Sequence, residues 1–299
     1  MTSRGRAFPT TAWLGAPLAR LQRRFEAHPW TAVLEAAARA GYLARGAVYL
    51  SVGVIALLAA LRLSPRAEGA VGALQAWGEW PAGLALIWLV GVGLYGFAGW
   101  RALQAIFDVD RCGHTARGLA NRAGQAVSGI AYAGLAISVF GLLDAMEDLH
   151  EPDDQAATGA LVARVLDLPF GPLIVLGMGL FILASGVGSV VRASLDHFRR
   201  NLDCEPQTRA WAGSLARIGY FGRGVALLPA GLLLASAGLH ARASDARGLG
   251  GALELLITWP FGRTMLGLTA AGLIAFGLFA VVEACLRPMR LARALPQVD

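Results

Sequence analysis

The sequence predicts an all-α fold: a polytopic membrane bundle of six transmembrane helices, pseudo-threefold because it is built from three parallel two-helix repeats. Three observations carry this prediction. Six charge-free apolar stretches punctuate the chain, the arginines crowd into alternate connections between them, and one two-part signature occurs three times.

Composition frames the reading. The 299 residues are 56% hydrophobic and only 15% charged, with mean hydropathy +0.54. Soluble domains carry about 25% charged residues, and one soluble core cannot hide this much apolar side chain. A lipid solvent lets apolar side chains face outward. Many of the 38 glycines lie inside the apolar runs, where they let helices approach closely. All 26 basic residues are arginine, giving a net charge of +6. They flank apolar spans, so the basic balance reads as membrane topology and excludes nucleic acid as a partner.

The charge-free spans run 46–61, 81–100, 123–143, 168–191, 224–239 and 264–282. About 20 residues cross the hydrocarbon core. The first and fifth spans have 16 each, and both begin just after an arginine. Fifteen arginines fall in the amino-terminal region, the second and fourth connections and the tail, against four on the other side. By the positive-inside rule both termini are expected in the cytoplasm. Residues 1–30 show no secretory leader, so the first span is expected to act as its own insertion signal.

The elements then follow in order. Residues 1–38 form a cytoplasmic arm. Within it, 16–27 place Leu18, Leu21 and Phe25 on one helical face, which reads either as an amphipathic helix on anionic lipid or as a disordered basic arm. Repeats occupy 39–110, 117–200 and 212–290, and 291–299 is a cytoplasmic tail. The first copy opens on Arg39, Gly41, Tyr42, Arg45 and Gly46, and the third on Arg217, Gly219, Tyr220, Arg223 and Gly224. The second is degenerate: Arg122, Gly124 and Gly129 remain, but Gln125 and Ser128 replace the tyrosine and the second arginine. The later helix of each copy is announced by Trp80-Pro81-Ala82-Gly83, Leu168-Pro169-Phe170-Gly171 and Trp259-Pro260-Phe261-Gly262. Offsets from copy one are 83 and 178 for the first part and 88 and 179 for the second. Each proline is expected at the first helical position, where its missing N–H costs nothing. The segments before it, 69–80, 158–168 and 248–259, read as interfacial helices or as connecting loops.

These paired signatures resemble a family of bacterial six-span membrane proteins known as domain of unknown function 1206, in three tandem two-helix copies. The resemblance covers roughly 39–287. Copies one and three match well, although Ala82 stands where copy three has phenylalanine. The resemblance implies the architecture and implies no activity.

Candidate chemistry is sparse. Arg45 and Arg223 recur at one repeat position beside Gly46 and Gly224, and read either as snorkelling anchors or as a site. Twenty-three residues past each signature proline stand Gln104, Arg192 and Glu283. An intramembrane acid usually has a partner or a job. Arg45, Arg223, Arg192 and Glu283 are therefore expected to form a polar ring at the cytoplasmic mouth or a lipid-phosphate site, with Gln104 at the matching position. Cys112, Cys204 and Cys285 lack a C-x-x-C pairing, and Cys112-Gly-His114 lacks a second half for a metal site. No metal, cofactor or catalytic residue is expected. The function classes that remain are a non-enzymatic module binding lipid or a partner membrane protein, a channel or transporter built on the Arg/Glu ring, and, last, a lipid-modifying enzyme.

Overall fold

The computed structural model describes residues 29–110, 112–147, 154–195 and 206–287. The arm helix expected at 16–27, Cys204 and the tail lie outside them. The described residues form nine α-helices: α1 (Pro29–Ala60), α2 (Ala70–Gln75), α3 (Gly83–Phe107), α4 (Ala116–Glu147), α5 (Asp154–Leu166), α6 (Gly171–Ser194), α7 (Pro206–His240), α8 (Leu249–Ile257) and α9 (Gly262–Leu286). Each repeat is thus long helix, short helix, long helix. Six helices are long and apolar enough to cross a bilayer: α1, α3, α4, α6, α7 and α9.

The two short spans of the sequence prove to be long helices. α1 and α7 continue through Arg45 and Arg223 for several turns toward their amino ends. The arginines mark no helix boundary, because their charge is held within the bundle instead of at its rim. The segments ahead of each proline are helical, as α2 with a 3₁₀ turn (Ala76–Glu79), α5 and α8.

Pro81, Pro169 and Pro260 do not open their helices, contrary to expectation; each stands two residues earlier, in a tight turn. The N–H of Gly83, Gly171 and Gly262 donates to the carbonyl of Trp80, Leu168 and Trp259, three residues back. Proline presets the second turn position. The third differs: Ala82 has φ −103°, whereas Phe170 and Phe261 adopt φ 64° and 59°. The glycine is required. A Cβ on Gly83 would lie 1.7 Å from the Trp77 carbonyl oxygen, and one on Gly171 2.2 Å from that of Val165.

The long helices stand in chain order around a ring. α1 packs on α3, α3 on α4, α6 on α7, α7 on α9, and α9 back on α1. The contact between successive repeats is the same three times. A Cβ on Gly46 of α1 would meet the Gly277 carbonyl oxygen of α9 at 3.0 Å. One on Gly129 of α4 would meet that of Ala98 on α3 at 3.2 Å, and one on Gly224 of α7 that of Gly186 on α6 at 2.9 Å. Residues 98, 186 and 277 are related by the repeat offsets, so this is the pseudo-threefold relation at atomic detail. It fails once. Within repeats one and three the two long helices pack together, but among the described residues α4 and α6 of repeat two form no packed interface.

One half of the ring is filled by an apolar cluster that includes Val52, Leu74, Ile87, Leu94, Val139, Leu253, Leu266 and Leu273. α2 and α8 seal it from the side of the short helices. The other half, at the end where α1 begins and α9 finishes, is polar.

Candidate functional site: an arginine-rich interior

The polar half is built by aromatic residues at repeat-related positions. Phe97 of α3 meets Tyr42 of its own repeat edge-on at 5.1 Å and Tyr132 of the next at 4.7 Å. Phe276 of α9, its equivalent, meets Tyr220 of its own repeat at 5.1 Å and Tyr49 of the next at 4.7 Å. Tyr49 and Tyr132 are themselves equivalents.

Arg45 projects into this aromatic frame. It is 4% exposed, and its guanidinium carbon lies 5.0 Å from the ring centres of Tyr42, Phe97 and Phe276. Its Nη2 donates to Glu283 Oε2 at 2.6 Å. Faces of aromatic rings favour a cation, and the carboxylate completes a buried ion pair. Such a pair offsets its own desolvation cost only while both partners remain. Arg223 is held differently: Nε donates to the Tyr49 hydroxyl at 3.0 Å and Nη1 to Ser189 Oγ of α6 at 2.8 Å.

A second layer lies nearer the termini. Asp110, in the α3–α4 connection, accepts from all three repeats: from Gln104 Nε2 at 2.7 Å, Gln125 Nε2 at 2.8 Å and Arg287 Nη2 at 3.3 Å. Arg287 also donates to the Tyr42 hydroxyl and faces Glu283 at 3.5 Å. Arg101 donates from Nη1 to Gln104 Oε1 at 3.2 Å. Beside Asp110, Asp108 accepts the backbone N–H groups of Cys112 at 2.6 Å and Gly113 at 2.8 Å. These N–H groups, that of Gly113 foremost, hold its carboxyl below the usual range. Burial, then the charges of Asp110 and Asp108, push the Cys112 thiol up.

The charges do not balance. Arg45, Arg101, Arg223 and Arg287 are four guanidinium groups facing two carboxylates, Asp110 and Glu283, while Asp108 is turned away to backbone N–H groups and the charge of Arg122. Two positive charges are left over. The Nε atoms of Arg45 and Arg101 are buried without a hydrogen-bond partner among the described residues. A buried donor without a partner is costly, and both stand among the surplus guanidinium groups.

Of the residues singled out from sequence, Arg45 and Glu283 are directly paired, and Gln104 is fully buried in the Asp110 layer. Arg223 reaches Tyr49 and Ser189, not the carboxylate. Arg192 is exposed, so the expected ring of Arg45, Arg223, Arg192 and Glu283 is not closed. The reason is the open seam: the register that faces a partner helix in the other repeats faces none in repeat two. Sequence reasoning missed Arg101, Asp110, Arg287, Tyr49 and Tyr132. The two tyrosines carried a legible signal, since they match across an offset of 83; the other three sit at positions the repeats do not share. Gly41, Tyr42, Gly219 and Tyr220 lie where the paired helices of their repeats meet.

Three helix–cap–helix units around a cationic interior define a class: a repeat-built bundle of six helices able to cross a membrane, as in a multi-pass membrane protein. The chain belongs to the family described as Domain of Unknown Function (DUF1206), whose model matches 40–108, 123–196 and 218–287. It is similar to the "Uncharacterized protein YxxB" of Bacillus subtilis (strain 168), with 30% identity over 273 residues, spanning 86% of this chain and 92% of that protein. No solved structure matches the chain.

Proposed function

We propose that this chain is a non-enzymatic module of the bacterial cytoplasmic membrane, both termini cytoplasmic, that binds the phosphate of an anionic lipid in its arginine-rich interior. The observation that carries this is the surplus of two guanidinium charges, with two buried Nε donors left unpartnered. The excess of arginine in the terminal arm and even-numbered connections supports the orientation. That orientation puts the cluster at the inner leaflet, where phosphate headgroups lie. The packed apolar half of the ring favours binding over conduction: Leu94, Leu266 and Leu273 are fully buried in one continuous apolar cluster.

Thermal unfolding of the purified protein in mixed micelles tests the reading. Phosphatidylglycerol is expected to raise the midpoint by a few degrees over phosphatidylcholine, because a ligand that binds only the folded state stabilises it by mass action. Inorganic phosphate, at matched ionic strength, is expected to do so weakly. The double variant Arg101→Gln/Arg223→Gln is expected to lose the difference between the two lipids. Equal shifts with both lipids in the unaltered protein would overturn the proposal.

A further inference from the structure

The seam between α4 and α6 has an explanation in its own residues. In repeats one and three the seal is a glycine laid on the backbone of the partner helix. A Cβ on Gly41 would fall 2.5 Å from the Phe97 nitrogen, and one on Gly219 2.6 Å from that of Phe276. The tyrosine that follows the glycine then meets the same phenylalanine. Repeat two keeps the glycine but neither aromatic: Gln125 stands for the tyrosine and Ser185 for the phenylalanine. Nothing lies within 4 Å of a Cβ placed on Gly124. α4 and α6 are correspondingly the least enclosed of the six long helices, each with 22% of its apolar stretch buried against at least 39% for the others.

The surplus charge stands on either side of this seam. Arg101 leans on α4, its Cβ 3.2 Å from where a Gly129 Cβ would be. Arg223 is bonded to α6 through Ser189. Arg192, one turn beyond Ser189 on α6, is exposed. The depth suits a headgroup: Arg101 lies 18 residues past Gly83, about 27 Å along the helix at 1.5 Å per residue, close to the roughly 30 Å of a hydrocarbon core.

We propose that the seam between α4 and α6 is a lateral seat for one anionic glycerophospholipid, its phosphate between Arg101 and Arg223 and its acyl chains leaving the ring between the two helices on the side of Ser185. A transmembrane helix of a partner would bring apolar bulk to a seam with polar side chains and unbalanced positive charge. A lipid brings an anion at one end and hydrocarbon at the other. This deepens the proposed function and rests on it.

The test restores the seal. The double variant Gln125→Tyr/Ser185→Phe copies the aromatic pair of the other two repeats into repeat two. It is expected to lose the phosphatidylglycerol-specific rise in melting midpoint that the unaltered protein shows. A photoactivatable phosphatidylglycerol, carrying its diazirine near the headgroup, supplies a measurement that needs no variant. Its adducts on the unaltered protein are expected on α4 and α6 around Ser128 and Ser185, in preference to the outward faces of the other helices. Adducts spread evenly around the ring would overturn the seat, as would a folded closure variant that keeps the full lipid response. Should the closure variant not fold, the adduct map alone decides. No phosphatidylglycerol response in the unaltered protein would instead sink the binding function itself.

Discussion

Repeats one and two begin with the same Arg-x-Gly signature and end as different structures. In repeat one, Gly41 brings α1 onto the α3 backbone, Tyr42 covers Phe97, and Arg45 turns inward onto both rings. In repeat two, a Cβ on Gly124 would meet nothing within 4 Å, Gln125 reaches away to Asp110, and Ser128 replaces the arginine. Yet both copies keep the other contact, in which Gly46 and Gly129 lie on the carbonyl of the preceding repeat. The comparison separates two jobs. Contacts between repeats close the ring and are present three times. Contacts within a repeat seal its pair of helices and are present only where the aromatic partner is. Close approach at a glycine is therefore permitted by the glycine and driven by the ring that packs beside it.

The largest effect that sharpens this contrast comes from the arginine position. Glu283→Gln leaves Arg45 buried without its counter-charge, a loss of about 3–5 kcal/mol for a fully buried pair. Arg45→Gln is expected to cost a similar amount, and the double variant less than the sum of the two. Ser128→Ala, at the equivalent place in repeat two, is expected to stay within about 0.5 kcal/mol. Chemical unfolding in detergent checks all four. Near-zero effects at Arg45 would mean that the ion pair does not hold repeat one together.

The glycines give the next effect. Gly41→Ala and Gly219→Ala place a Cβ against backbone that cannot move aside, and overpacking of this kind costs about 1–3 kcal/mol. Gly124→Ala meets open space within a helix and is expected to stabilise by up to about 1 kcal/mol, since alanine is the better helix former. A loss at Gly124 equal to that at Gly41 would show that α4 and α6 close together for part of the time, and would break the comparison.

How much of this was legible beforehand depends on whether a property belonged to one repeat or to its neighbours. The six helices, the three copies and the expectation that Glu283 has an arginine partner could be read, because hydropathy and the offsets are carried along the chain, but not which of Arg45 and Arg223 supplies it. The open seam could not. Gln125 and Ser128 looked like decay of a signature, and Ser185 was only a small polar residue in an apolar run. That the three lie in one gap follows from the ring order, which no spacing encodes. Gln104, Arg192 and Glu283 show the same limit. They share a register position, yet Gln104 and Glu283 are buried and Arg192 is exposed, because only repeat two lacks the helix that would cover it. The prolines misled for a local reason: Pro-x-Gly is a turn as readily as a helix start, and the carbonyl under each glycine decided for the turn.

The smallest effect concerns what keeps α4 on its side of the seam. The turn after α3 is tied by Asp108, which accepts the N–H groups of Cys112 and Gly113 and so fixes the connection that carries Asp110. The Asp108 carboxyl is held below its ordinary value. A carboxylate of depressed pKa contributes its stability above the unfolded value of about 3.9 and loses it as pH falls through the lower folded value. The turn is therefore expected to be insensitive to pH from neutrality down to about 4 and to loosen only below that. Cys112 reports on it, since its thiol is pushed up by burial first and by Asp110 and Asp108 after that. Only the thiolate reacts. With Cys204 and Cys285 replaced by serine, maleimide labelling of Cys112 at neutral pH is expected to be slower than that of an unhindered thiol. Asp108→Asn removes one negative neighbour and one of two equivalent acceptors, so labelling should quicken while the global unfolding midpoint hardly moves. If the midpoint fell as far as it does for Gly41→Ala, the turn would be holding the ring closed and not merely holding α4 in place, and the open seam would then owe its width to this connection instead of to the missing aromatic pair.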